Sequence, residues 1–248
     1  MTGDSHSVVK SPAEPVFEPE LQLPVDQAYA LWSETYDSVA NPMLALEQRH
    51  LWPMLPELGG KTVLDLGCGT GRLLEGLGSL GTGCYLGLDR SSAMLGRAAK
   101  KLRARGCLLR ADCLRLPLRS QSADVLIGSF LLGYVNLADL ASEIARVSKD
   151  GADLYLSEFH PDSYELGWKR SFRAGNRVIN LATRHCSLQD IGDEFRAHGF
   201  DLVQTVEAGF GEPERKIFLA YNKGHVFESS SGLRAIFITH WRKRSDAA

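Results

Sequence analysis

A chain of 248 residues fits one large domain, or one domain with an appendage, better than two domains of the usual ~150 residues. Hydrophobic residues make up 44% and charged residues 23%, with mean hydropathy −0.14, which excludes a fibrous or wholly disordered chain and allows a sizeable core. The formal net charge of −2 excludes a global attraction to nucleic acid or anionic lipid, and no apolar run reaches the ~18 residues of a membrane helix.

The first residues hold Pro12, Pro15, Pro19 and Pro24 with acids between them and no apolar period, which predicts a disordered leader over 1–24. The opening MTGDSHSVVK lacks the basic and apolar regions of a secretory signal, so a cytoplasmic protein with no membrane partner is expected. Val25, Tyr29, Trp32, Tyr36 and Val39 then recur at helical spacing and draw one stripe. A second helix over 42–55 completes a helical cap, 25–57, to a domain spanning 25–248.

From Lys61 short apolar runs alternate with amphipathic stretches, the pattern of strand-helix units in a parallel sheet. Strands are predicted at 62–66, 84–89, 107–112, 123–129 and 152–159, and helices at 70–79, 91–104 and 137–148. The alternation then stops over 159–186, a length that marks a lid or binding insertion. Ser187, with Asp190 three residues on, starts a further helix that ends near Gly199. FDLVQTVEAGF and LRAIFITHW read as strands with no helix between them, so they should pair antiparallel. The fold expected is α/β: a Rossmann-like, doubly wound, seven-stranded, mostly parallel sheet with an antiparallel last strand, N-terminal helices and a lid insertion after the fifth strand.

The five cysteines are odd in number and contain no C-x-x-C pair, and the seven histidines are scattered. Neither a disulfide framework nor a metal site is expected. The basic stretch 97–119 reads as a solvated helix face rather than an RNA-binding stripe.

Val63 to Gly71 reads VLDLGCGTG, a buried strand running into a glycine turn and then a helix. Gly67, Gly69 and Gly71 permit a tight turn, close approach of a ligand and tight helix packing. A dinucleotide fingerprint needs a third glycine where Arg72 stands. Asp65, just before the turn, would repel a pyrophosphate and suits a nucleoside carrying ammonium and sulfonium charges. Asp89, at the end of the next strand, stands where a carboxylate accepts from both ribose hydroxyls, as it would in a dinucleotide enzyme too.

With these residues the chain resembles the class I S-adenosylmethionine-dependent methyltransferases, in particular the small-molecule group similar to the ubiquinone/menaquinone and malonyl-carrier-protein methyltransferases. The resemblance covers residues 29–160 well and the rest in outline. It implies S-adenosyl-L-methionine as cofactor, with Asp65, Gly67, Cys68, Gly69 and Gly71 at its amino-acid end and Asp89 on the ribose beside Arg90. It implies that Asp112 and Cys113 contact the adenine and that the Ser129 backbone faces the methyl group. Cys68 and Cys113 read as small spacers, since neither has a His or Cys partner to form a thiolate. Asp150-Gly151 departs from the family's usual Pro-Gly-Gly.

No N-P-P-Y or P-C follows the fourth strand, which reads SFLLGY, and the double-Glu loop of protein arginine methyltransferases is missing. A small or carrier-bound acceptor is therefore expected, and no nucleic acid. His160 is the candidate base, although beside Pro161 it also reads as a turn residue. Tyr29, Trp32 and Tyr36 form either a lid or a core stripe, with Tyr134 towards the same cleft. Arg170 and Arg173, in an insertion that also holds Trp168 and Lys169, suit an anionic acceptor or else an exposed basic loop. Carboxyl methylation of a carrier-bound acid is one alternative, and a non-catalytic cofactor-binding scaffold or sensor another. A nicotinamide oxidoreductase is opposed by Asp65 and the missing glycine.

Overall fold

The computed structural model describes residues 20–78, 83–103 and 106–245. A short strand β1 (Leu21–Leu23) leads into α1 (Val25–Trp32), and α2 (Pro42–Leu51) starts at Asn41, whose side chain accepts from the Met43 N–H, and runs on into a single 3₁₀ turn. The alternating half follows: β2 (Thr62–Leu66), α3 (Arg72–Leu77), β3 (Cys84–Asp89), α4 (Ser92–Leu102), β4 (Cys107–Arg110), β5 (Ala123–Ser129), α5 (Leu137–Val147) and β6 (Ser148–Phe159). The remainder comprises α6 (Pro161–Glu165), β7 (Ser171–Ala174), β8 (Arg177–Leu181), α7 (Leu188–Ala197), β9 (Phe200–Ala208), α8 (Glu212–Ala220), α9 (Gly224–Ser229) and β10 (Ile236–Lys243).

Seven strands form one sheet in the order β4-β3-β2-β5-β6-β10-β9, parallel except for β10, which runs antiparallel to both β6 and β9. The expected fold class is observed. Strand order reverses between β2 and β5, where Val63 pairs with Val125 and Leu66 with Gly128, so the crevice of an open parallel sheet lies beyond Leu66 and Ser129. β2 and β5 are buried on both faces: Leu64, Leu66 and Leu126 pack with α5 and α7, while Val63, Val125 and Ile127 pack with α2, α3 and α4.

Three expectations are corrected. Residues 21–23 are not leader but a strand paired parallel with β8, Leu21 opposite Ile179; the rest of that call, residues 1–19, lies outside the described residues. The 159–186 insertion carries α6 and a β7–β8 hairpin, turned at Gly175 (φ +61°), so that β1, β8 and β7 make a second small sheet. Phe172, Ile179 and Leu181 bury its inner face against Ala28 of α1. Between β9 and β10 the chain forms α8 and α9 rather than a plain connection, with Pro213 in the first turn of α8 and Glu214 accepting from the Gly211 N–H at 2.8 Å.

Candidate active site

The turn after β2 is built from backbone that side chains resist. Gly67 and Gly69 take φ of +70° and +56°, and the Cys68 N–H bonds to the Leu88 carbonyl at 2.9 Å, tying the turn to β3. The Gly69 N–H donates to Asp89 Oδ2 at 2.8 Å and the Ser91 N–H to Asp89 Oδ1 at 2.7 Å. The carboxylate is thereby fixed at the end of β3, with the Arg90 N–H also bonding to it and some acceptor capacity left for a ligand. Burial raises its pKa above the usual range, in spite of these N–H bonds.

Asp65 is 1% exposed and its Oδ2 has no hydrogen-bond partner, although it lines the cleft. Burial pushes its pKa up to about 7, with Arg72 pulling down and Glu47 and Asp89 pushing further up. Arg72, the first residue of α3, also lines the cleft. Its Nη2 contacts Glu47 Oε2 and donates to Ser129 Oγ at 3.1 Å, while its Nη1 is buried with no partner. One end of the cleft therefore offers an unsatisfied acid beside an unsatisfied cationic donor.

The cleft, about 310 Å³, runs from these groups past Asp89 to Asp112 and Cys113. Asp112 Oδ1 accepts from the Leu114 N–H at 3.0 Å, and its Oδ2 lies 4.0 Å from Arg90. Arg90 also spans the mouth to Asp26 of α1 at 3.1 Å. The facing wall holds Ser129, Phe130, Leu131, Tyr134, Tyr29 and Tyr36, and the Tyr29 hydroxyl bonds to that of Tyr134 at 3.1 Å.

The methyltransferase domain family matches residues 63–151, from the second residue of β2 to the turn inside β6. The demethylmenaquinone methyltransferase of Lactococcus lactis is 32% identical over 219 residues, covering 75% of this chain and 86% of that protein. The chain belongs to the class I S-adenosylmethionine-dependent methyltransferases. A malonyl-[acyl-carrier protein] O-methyltransferase of Marinomonas is 28% identical over 218 residues, 85% of this chain and 80% of that one. The structure of an S-adenosylmethionine-dependent methyltransferase from Mesorhizobium loti superposes with a TM-score of 0.65 at 23% identity, covering 82% of this chain and all of that one.

The residues present fit the cofactor of this methyltransferase family. Asp65 Oδ2 and Arg72 Nη1 are an orphaned acceptor and an orphaned donor that an ammonium and a carboxylate, respectively, would satisfy, and Asp89 keeps acceptor capacity midway along the cleft. Cys68 and Cys113 line the cleft as thiols; burial pushes both up, Cys113 to about 12, so neither is a thiolate nucleophile at neutral pH.

Several sequence candidates stand elsewhere. Gly71 faces away from the cleft, and a Cβ there would meet Ala98 Cβ at 3.2 Å, so it serves helix packing. Trp32 stacks on Phe172, centroids 4.8 Å apart, and belongs to the small core under β7–β8. His160 is buried behind β6: Nδ1 accepts from the Asp162 N–H and Nε2 bonds to Glu207 at 3.0 Å, which leaves no nitrogen for an acceptor proton. Arg170 is buried against Glu158, donates to the Phe130 carbonyl at 2.6 Å and lies over the Tyr134 and Phe159 rings. It clamps Phe130, which holds the strained φ of +50° beside the cleft, and does not itself line the cleft. Arg173, on β7, does not line the cleft either.

Two residues escaped the sequence reading. Arg72 entered it only as a missing glycine. Glu47 sits on the apolar stripe of α2 with Met43, Leu46 and Leu51, and a lone carboxylate on a buried helix face is the signal that marks it.

Proposed function

We propose that this chain transfers a methyl group from S-adenosylmethionine to a small organic acceptor that rests against Ser129, Phe130 and the three tyrosines, and that it does so in the cytoplasm. The observation that carries the reading is the row of acids along one cleft, Asp65, Asp89 and Asp112, ending at a wall of aromatic rings. Asp89 is assigned to the ribose hydroxyls, Asp112 and Cys113 to the adenine, and Asp65 with Arg72 to the amino-acid end. Five free thiols accord with a reducing compartment, and among the described residues no helix is long and apolar enough to cross a membrane.

The cofactor supplies an electrophilic methyl group on a sulfonium sulfur. The chain contributes alignment, exclusion of water and a fixed electrostatic surround. Burial raises the Tyr29 hydroxyl well above its ordinary range and brings Tyr36 to about 12, so both phenols stay protonated and neither is a base; Tyr29 donates its hydrogen bond to Tyr134, which leaves Tyr36 as the donor to the acceptor. An acceptor whose nucleophilic atom is already deprotonated, or readily loses its proton to water, fits such a wall. Methylation of a carrier-bound carboxylate remains within that class, but not through Arg170, whose guanidinium is taken by Glu158.

Thermal unfolding with S-adenosylmethionine, S-adenosylhomocysteine or NAD, on the wild type and on Asp89→Ala, tests the cofactor assignment. At about 100 times its Kd a ligand adds about 2.7 kcal/mol, a rise of about 5 to 10 °C for a chain of this size. A rise with both sulfur nucleosides that Asp89→Ala abolishes is expected. A rise with NAD alone would overturn the reading. S-adenosylhomocysteine release is then followed with phenols, carboxylates, carrier-bound acids and RNA as acceptors; turnover on RNA alone would sink the small-molecule proposal.

A further inference from the structure

We infer that Glu47 is a positioning residue that sets the cleft's preference for a sulfonium ligand over the neutral thioether left after transfer. The inference rests on the cofactor reading above and concerns a residue outside the matched domain, on the cap helix α2. Glu47 is 0% exposed, and its hydrogen bonds turn towards the cleft wall. Oε2 takes the Arg72 guanidinium, while Oε1 accepts from Ser129 Oγ at 2.6 Å and from Ser157 Oγ at 2.5 Å. Arg72 and Ser129 line the cleft themselves.

A buried ion pair adds little net stability, because desolvating both charges offsets their attraction. Its consequence here is electrostatic. A bare guanidinium in the wall would repel a cationic ligand, and Glu47 cancels that charge where water cannot. The field of the pair reaches the cleft. Beyond the push of burial itself, Glu47 raises and Arg72 lowers the pKa of both Asp65 and Tyr36, which line it. Removing the Glu47 charge should therefore weaken sulfonium binding and leave thioether binding nearly unchanged, whereas removing the Arg72 charge should shift the balance the opposite way.

The test is calorimetric: Kd for S-adenosylmethionine and for S-adenosylhomocysteine at pH 8.5, above the Asp65 transition, on the wild type, Glu47→Gln, Ser157→Ala and Arg72→Gln. Glu47→Gln should move the ratio of the two constants roughly tenfold against the sulfonium ligand. Ser157→Ala, which removes a hydrogen bond and no charge, should leave the ratio alone. Arg72→Gln should weaken both ligands through the lost carboxylate contact, yet move the ratio towards the sulfonium. Should Glu47→Gln fail to fold, the sign of the Arg72→Gln shift still decides. Equal loss of both ligands in Glu47→Gln, or an unmoved ratio in Arg72→Gln, would overturn the inference while sparing the cofactor reading. A wild type that binds neither ligand would overturn both.

Discussion

Asp65 shows how a single buried acid links stability, pH and ligand binding. Its carboxyl titrates near 7 in the folded chain, against the usual ~4 in an unfolded one, so the protonated form is favoured by folding. The associated stability is fully present below pH ~4 and is lost as the pH rises through about 7, a change of roughly 4 kcal/mol. Asp65→Asn, which keeps the shape and cannot ionise, should therefore raise Tm by several degrees at pH 8.5 and have little effect at pH 4.5. A cationic ligand favours the ionised acid, so wild-type affinity for S-adenosylmethionine should climb between pH 5.5 and 8, with proton release near pH 6.5 seen as a buffer-dependent calorimetric enthalpy. A flat profile would mean that Asp65 is ionised throughout. At this scale the sequence was legible where local backbone dictates the residue. The φ of Gly67 and Gly69, and acids at the ends of β2 and β3, can be read from spacing alone. The partners of Arg170 and His160 come from Glu158 and Glu207, remote positions that no local pattern announces.

Among the elements, those set by period were readable and those set by packing were not. β2, β3 and β5 fall at their predicted residues because central parallel strands need continuous apolar runs. The β7–β8 hairpin was missed although Gly175-Asn176 sits between short alternating runs, since arginines interrupt the apolar signal. Its packing has a functional consequence. Tyr29 of α1 belongs to the cleft wall, and α1 is seated by Ala28 and Trp32 against Phe172, Ile179 and Leu181. The segment after α1 is clasped at its other end by Asp37, which accepts from Thr70 Oγ1 at 2.7 Å and pairs with Lys101 at 2.8 Å. β1, α1 and the hairpin thus form one packed unit that carries Tyr29 into the cleft wall. Phe172→Ala, in a residue that does not itself line the cleft, should cost about 3 kcal/mol of stability and weaken cofactor affinity several-fold. Hydrogen exchange should show β1, α1 and β8 losing protection together. Unchanged affinity in a folded variant would make the hairpin an independent appendage.

Over the whole molecule the work divides along the sheet. The parallel half ends its strands at the order reversal between β2 and β5 and carries the cleft, whereas no residue of α7, β9, α8, α9 or β10 lines it. Those C-terminal elements brace the cap and the last parallel strand. Glu214 of α8 pairs with Arg49 of α2, and β10 closes on β6 from Ile236 opposite Phe159 to Arg242 opposite Asp153. His160 belongs to this bracing. It follows the carboxyl end of a strand, where parallel sheets place ligands, and for that reason the sequence offers it as a base. β6, however, is flanked by antiparallel β10, and beyond its end the ring turns to Glu207 of β9 while Arg234 bonds both Glu207 and Asp162. His160→Ala should therefore remove the cap on the Asp162 N–H and leave Glu207 to Arg234 alone, costing about 1 to 3 kcal/mol of stability. Turnover and cofactor affinity, measured below the lowered Tm, should stay within about twofold of wild type, and the limbs of the pH-rate profile should not move. Loss of one limb with stability intact would return the histidine to the chemistry and imply that α6 swings it into the cleft when an acceptor binds.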